Sequence, residues 1–512
     1  MSTLEKVAIG LAVTLGGAVL MALEVAAFRI IGKTFGTALT ETTTVIAVFL
    51  AAMSIGYYLG GRVVDGRPQM STLAWTLVLA APPMLAVVQF DAFLTESIGR
   101  SAIAPSLHTL VATTVLFAIP TTLLAAISPI AVRLLSHGTM HSGRVAGAVS
   151  AMSTAGSIAG TVVTAFVLID VIGSIRITVV LLAATSLVLA LCLGLSSVSR
   201  VRTSGTPIWA RGPVVVGVVS GVLIGALTLD RIGARSVVRT SDRARVLFER
   251  DTPYHRVRVI ERPPGIRDLF IDATLQSIMR LDQADLRGLE YEEYKHFAKI
   301  ARPGIKRVLA IGLGGGTSAR QFTEYYPDVT FEAVEIDPVV ADAAQKYFGV
   351  QPGERLRIHI GDGRTFVRKS SQRYDMISVD AYTRGRYGST IPPHLVTKEF
   401  FEEVSKRLED NGIVHFHSYA GRNSLFSRAV YKTMASVFPS VVILGQTEII
   451  ASAAPLHVEP EDILSRTASI RRHLPDIDRR LATLQTQPPE VRDVPLLTDD
   501  FAPVDTLLRG GR

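Results

Sequence analysis

The chain has 512 residues, 48% of them hydrophobic, with a net charge of +8 and a mean hydropathy of +0.33. That apolar load excludes an ordinary soluble protein of this length, and a single cysteine, Cys192, excludes a disulfide framework and a cysteine-based zinc site. The basic excess lies largely in short loops between apolar runs and is not interleaved with aromatics, so it points to membrane topology and away from nucleic acid.

Apolar residues concentrate before about residue 230, and most acidic residues follow it, which marks the main domain boundary. A bilayer core takes ~20 apolar residues in a helix. Seven runs qualify: about 7–31, 42–63, 71–90, 107–135, 146–170, 174–197 and 213–230. The first is too long for a signal-peptide core and further spans follow it, so no cleavable signal is expected. Backbone groups in lipid must be bonded internally, so the runs should be helices. Cys192 is expected as a small buried apolar residue.

The small residues Ala155-Gly156-Ser157-Ile158-Ala159-Gly160 suit close helix packing. Pro120 and Pro129 should kink the long fourth run. Glu24 and Arg29 sit in the second half of the first run, where charge is costly, and are candidates for a structural ion pair or a functional site. Eight basic residues (Lys6, Arg62, Arg67, Arg133, Arg144, Arg200, Arg202, Arg211) fall in loops on the N-terminal side, against three (Lys33, Arg100, Arg176) opposite. That bias puts the N-terminus in the cytoplasm. Seven spans would then put the C-terminal half outside.

Beyond Arg231 the pattern changes. Segments 245–262 and 267–273 read as strands around the turn Pro263-Pro264-Gly265, and a helix is expected over 284–300. Strands follow at Arg307–Leu313, Thr330–Asp337, Leu356–Asp362, Tyr374–Tyr382, Gly412–Ala420 and Ser440–Gly445, with helices near 338–348 and 397–410 among them. Alternation of this kind means a mainly parallel sheet covered on both faces, with ligands at the carboxyl ends of its strands. Those ends carry Gly312-Leu313-Gly314-Gly315-Gly316, then Glu335-Ile336-Asp337, Gly361-Asp362-Gly363 and Asp380-Ala381-Tyr382. The glycines allow close backbone approach to a ligand, Glu335 is placed for ribose hydroxyls, and Asp362 for an adenine amino group. Asp337 and Asp362 could equally cap helices. His415 and His417 share one strand face but lack a carboxylate at ligand spacing, so no metal is expected.

At these residues the chain resembles the spermidine synthase (polyamine aminopropyltransferase) family, and more closely a bacterial subgroup that fuses such a domain to a multi-span region. The likeness includes Ala22-Leu23-Glu24-Val25 with Arg29, and Ser54-Ile55-Gly56-Tyr57-Tyr58-Leu59-Gly60-Gly61-Arg62. It continues through Tyr254-His255-Arg256-Val257, Asp272, Gln276, the glycine loop, Glu335, Asp362 and Asp380. It ends with Ile391–Phe400 and Leu497-Thr498-Asp499-Asp500-Phe501-Ala502-Pro503.

The resemblance implies four segments: a transmembrane domain of about seven helices over 1–235; a β-hairpin extension and linking helix over 240–302; a Rossmann-like, class I methyltransferase-type domain over 303–455; and a tail over 456–512. It implies aminopropyl transfer from decarboxylated S-adenosylmethionine to a polyamine such as putrescine, without a metal. Asp380 corresponds to the catalytic aspartate, which acts as general base for the acceptor amine. Gln276, Gly312, Gly314, Gly316, Glu335, Asp362 and Gly363 correspond to the cofactor site, and Tyr254 and Tyr382 to the substrate site.

Three departures stand out. Gly315 replaces the family's loop aspartate, the second aspartate after Asp380 is absent, and Tyr294-Lys295-His296 replaces a Tyr-His-Glu. Fewer carboxylates hold a dicationic substrate less well, and Asp499 and Asp500 are candidate replacements. Two other readings stay open: a methyltransferase using S-adenosylmethionine itself, and a non-enzymatic transporter or sensor that binds polyamine or nucleotide. The partners expected are a small amine and the lipid bilayer, not nucleic acid, with a homodimer left open.

Overall fold

The computed structural model describes residues 1–35, 39–66, 68–136, 142–198, 244–272, 274–281, 286, 288–381, 383–385, 388–456 and 460–509. The chain forms two compact units, Met1–Val237 with Asp251–Pro253, and Val238–Arg250 with Tyr254–Arg512.

The first unit is helical: α1 (Thr3–Phe35), α2 (Leu39–Gly66), α3 (Met70–Gly99), α4 (Pro105–Ala125), α5 (Ile127–Leu135), α6 (Ser142–Val163), a π-helical turn at Thr164–Leu168, α7 (Ile169–Ile172) and α8 (Ile175–Val198). Among the described residues, six helical segments are long and apolar enough to cross a membrane: Thr3–Gly32, Thr40–Gly66, Met70–Gly99, Leu107–Leu135, Ser142–Leu168 and Ile175–Gly194. The seventh expected span, 213–230, lies outside the described residues. The third span runs well past residue 90, through Pro82 and Pro83.

The glycine stripe has the expected use. A Cβ on Gly156 or Gly160 would collide with the backbone of Thr14 or Ala18, so only glycine lets α6 lie on α1. Gly56 and Gly60 do the same for α2 against Thr122 and Ala126. The fourth span breaks at Ala126, where Pro129 offers no N–H to the Ala125 carbonyl, whereas α4 continues through Pro120. Cys192 is exposed on the outer side of α8, not buried as expected.

The expected pairing of Glu24 with Arg29 does not form, because five residues of helix separate their directions by about 140°. An ion pair that the sequence did not suggest does form in this unit: Arg176 of α8 donates to Asp91 of α3 at 2.9 Å.

In the second unit, β1 (Arg245–Asp251), β2 (Arg256–Arg262), β3 (Ile266–Ile271) and β4 (Thr274–Arg280) make a four-stranded sheet in chain order, with β3 antiparallel to both β2 and β4. Two strands were expected here. Segment 245–262 is broken by the turn before Arg256, and β4 was missed. The helix expected over 284–300 is described as a 3₁₀ turn, Glu290–His296, running into α9 (Phe297–Ala301).

The main sheet contains β5 (Arg307–Ile311), β6 (Thr330–Glu335), β7 (Leu356–Ile360), β8 (Tyr374–Val379), β11 (Leu408–His417), β12 (Ser440–Leu444) and β13 (Glu448–Ser452), in the order β12-β13-β11-β8-β5-β6-β7. A two-stranded ribbon, β9 (Thr383–Gly385) with β10 (Gly388–Thr390), stands apart. Strands β7, β6, β5, β8 and β11 are parallel, and β13 enters antiparallel between β11 and β12. With helices α10 (Thr317–Tyr325), α11 (Pro338–Phe348), α12 (Gly363–Lys369), α13 (Lys398–Ser405) and α14 (Leu425–Ala435), this is a Rossmann-like fold of the class I methyltransferase type. One apolar core, built around Phe400, Phe401, Phe416 and Phe426, and another, around Phe297, Phe322 and Phe331, fix the strands whose ends carry the motifs.

Candidate active site

Strand β5 runs into Gly312–Gly316, with φ of 97° at Gly312, 56° at Gly314 and 73° at Gly316. Only glycine adopts these angles without strain. A Cβ on Gly312 would also collide with the Asp380 carbonyl, so the loop and the end of β8 touch at backbone level. Leu313 N–H donates to Glu335 at 3.1 Å, and Asp337 N–H to the other Glu335 oxygen at 3.0 Å. Burial pushes the Glu335 carboxyl up, further than those two backbone bonds pull it down.

Gly315 N–H donates to Ser277 Oγ at 2.8 Å, which ties β4 to the loop. Gln276, the neighbour of Ser277 on β4, faces the other side of the strand, since neighbours alternate faces. Its Nε2 is buried with no protein partner among the described residues. Asp362 caps α12 by accepting from Thr365 N–H at 2.8 Å and meets His394 at 3.0 Å. Asp337 caps α11 through Val339 N–H at 2.9 Å.

Asp380 follows β8 and is paired. Lys295 Nζ donates to its Oδ2 at 2.7 Å and to Glu292 Oε2 at 2.8 Å; Glu292 also accepts from Ser318. Asp380 Oδ1 has no hydrogen bond among the described residues. Burial raises the Asp380 carboxyl, but the charges of Lys295 and His417 and the Lys295 bond outweigh it and hold the group below its ordinary value. Burial lowers Lys295, yet its two carboxylates hold it above the ordinary lysine range.

Tyr291 stacks on His417 with ring centroids 4.2 Å apart. Burial first, then the Asp380 charge, pushes its phenol well up, so it keeps its proton. The register of β11 sets His417 opposite Glu448 and His415 opposite Ser378. Each histidine reaches Glu448 at 2.8 Å, and His415 meets Ser378 at 3.0 Å. Burial opposes both charges, but the pairing depresses Glu448 and raises His417. Among the described residues no group of three or more His, Cys, Asp or Glu is set to hold a metal.

One candidate replacement carboxylate is engaged elsewhere. Asp499 is spent on Arg364, at 2.6 and 2.8 Å, and on Thr397 at 2.8 Å, so it supplies no carboxylate beside Asp380. Asp500 is exposed, and Tyr254 is 43% exposed on the β1–β2 connection. Tyr382 lies outside the described residues. The roles of Tyr291, Glu292 and Glu448 were missed. The first two share a helical spacing with Lys295 that is visible in Glu290–His296, but Glu448 comes from a strand whose pairing is non-local.

Residues 289–447 match the spermine/spermidine synthase domain. A polyamine aminopropyltransferase of Vibrio vulnificus is 31% identical over 235 residues, covering 41% of this chain and 72% of that protein. One from Alkaliphilus oremlandii is 30% identical over 200 residues, covering 38% of this chain and 67% of that protein. The crystal structure of spermidine synthase from Thermotoga maritima aligns with a TM-score of 0.36 at 21% identity, over 45% of this chain and 87% of that chain.

Proposed function

Because the chain belongs to the spermine/spermidine synthase family of aminopropyltransferases, we propose that it moves an aminopropyl group from decarboxylated S-adenosylmethionine to a polyamine such as putrescine, at a membrane. The observation that carries this reading is the ionised Asp380 beside the glycine loop, with Oδ2 held by Lys295 and Oδ1 open. The decarboxylated donor supplies a carbon activated by its sulfonium.

The residues fit such a donor. The positive-φ glycines let a nucleoside approach the backbone, Glu335 keeps acceptor capacity for ribose hydroxyls, and Gln276 offers an unused N–H. The acceptor nitrogen forms the new C–N bond with its lone pair while the C–S bond breaks and its electrons return to sulfur as a neutral thioether. The proton leaving the nitrogen passes toward Asp380 Oδ1. Positioning of the two partners supplies most of the remaining rate.

Asp380→Asn in the full membrane-embedded chain should cut aminopropyl transfer by roughly 10²–10⁴-fold while donor binding persists. Unchanged turnover, or transfer of a methyl and no aminopropyl group, overturns the reading. We place the second unit on the cytoplasmic side, where adenosyl substrates are made. A compartment-specific reporter fused after Arg512 and active only outside would contradict that placement.

A further inference from the structure

The membrane unit holds a carboxyl that aminopropyl transfer leaves without a role. Glu24 is 9% exposed on α1 and has no hydrogen bond or ion pair among the described residues. A buried carboxyl at bilayer depth is costly and calls for a partner.

The packing of α1 on α6 sets the level at which Glu24 stands in the bundle. The two helices run parallel, with Gly156 against Thr14 and Gly160 against Ala18. The next position on that line of α6, one turn further, is Thr164. Its hydroxyl is buried with no partner among the described residues, and the π-helical turn begins there. Such turns are frequent at functional sites. On α1 the line facing α6 passes through Gly10, Thr14 and Gly17. Glu24 stands two turns beyond Gly17, about 20° off that line. Thr164 is level with Ala22, so its depth differs from that of Glu24 by about 3 Å.

A third acceptor reaches the same depth. Gly16 of α1 packs on Ile127, the first residue of α5. Spans one and four of a bundle run antiparallel, so Thr121 of α4 also comes level with Ala22. Its hydroxyl too is buried without a partner among the described residues.

One carboxyl and two hydroxyls, none of them bonded to protein among the described residues, thus share one level of the bundle. A primary ammonium brings three N–H donors, whereas a hard metal cation asks for six or more oxygens. We propose that Glu24, Thr121 and Thr164 form an intramembrane binding site for the ammonium group of an aliphatic polyamine. Only the choice of polyamine among amines rests on the aminopropyltransferase reading.

The test is equilibrium binding of radiolabelled putrescine and spermidine to the full chain in lipid nanodiscs, with sodium as competitor. Two classes of amine site are expected in the wild type. Asp380→Asn should weaken one. Glu24→Gln should remove the other, and Thr164→Val should weaken it by about tenfold, the loss of one charge-assisted hydrogen bond. Glu24→Asp, which keeps the carboxylate, should retain part of it and guards against a folding artefact. The same two classes in Glu24→Gln, or a Glu24-dependent site taken by sodium and not by amines, overturns the proposal. A wild type that shows the Glu24-dependent class but no Asp380-dependent one would instead count against the aminopropyltransferase reading and leave the Glu24 site standing.

Discussion

Lys295 Nζ lies 2.7 Å from Asp380 Oδ2 and 2.8 Å from Glu292 Oε2, so one buried ammonium serves two buried carboxylates. Lys295→Met would leave both acids desolvated and uncompensated. Breaking a buried pair from one side costs about 3–5 kcal/mol. The variant should unfold at markedly lower temperature in a protease-protection assay on the full chain. Its Asp380 carboxyl, freed from the ammonium that depresses it, should titrate at higher pH and move the acid limb of kcat/KM upward. An unmoved acid limb would mean that Lys295 does not set the charge of Asp380.

The His415–Glu448–His417 cluster makes stability depend on pH in two directions. Glu448 is depressed below 4.5 when folded, so its contribution is complete above pH 4.5 and fades as pH falls through the folded value. His417 is raised above 6.5 when folded, so its contribution is complete below pH 6.5 and fades as pH rises through the folded value. Both contributions are therefore full between pH 4.5 and 6.5. Glu448→Gln should flatten the profile at both limbs. Thermal unfolding of the two proteins across pH 3–9, a range spanning both unperturbed values, checks this; parallel curves would refute it.

The α1–α6 crossing admits nothing larger than glycine at residue 156, because the Thr14 carbonyl occupies the place of a Cβ. Gly156→Leu should separate the helices and destabilise the first unit by at least the ~1–3 kcal/mol typical of overpacking. Gly147→Leu, where a Cβ meets open space, is the matched control. Equal detergent resistance of the two variants would contradict this packing.

What could be read from the sequence follows how local the signal is. Spans, glycine loop and strand-end acids depend on short runs of residue type, so Gly312, Glu335 and Asp380 stand where the pattern put them. The helix expected over 397–410 ends at Ser405, because Leu408 and Glu409, which continue its pattern, leave it. They belong instead to β11, whose register with β8 shifts between Leu408 and Ile413. Glu448 could not be assigned to His415 and His417 because its strand joins the sheet antiparallel, through pairing that no local pattern announces. Asp499 reads as a spare carboxylate in the sequence because Arg364, which holds it, lies 135 residues away.

The absence of an acid at Gly315 is matched by the residue facing it. A Cβ at 315 would stand 2.6 Å from Ser277 Cβ and 2.8 Å from its Oγ. The first of these is a near-backbone atom that cannot swing aside. Gly315→Asp alone should therefore destabilise the second unit by about 1–3 kcal/mol, the usual range for overpacking. It should also lose the 2.8 Å bond from residue 315 N–H to Ser277 Oγ as the strand shifts. Ser277→Gly removes both colliding atoms. The double variant should recover most of the thermal stability and bring a carboxylate to the loop, tightening binding of a cationic donor over the single Ser277→Gly variant. Thermal unfolding and donor titration on the four proteins form one double-mutant cycle. Additive effects would mean that Ser277 is not what keeps an acid out of position 315.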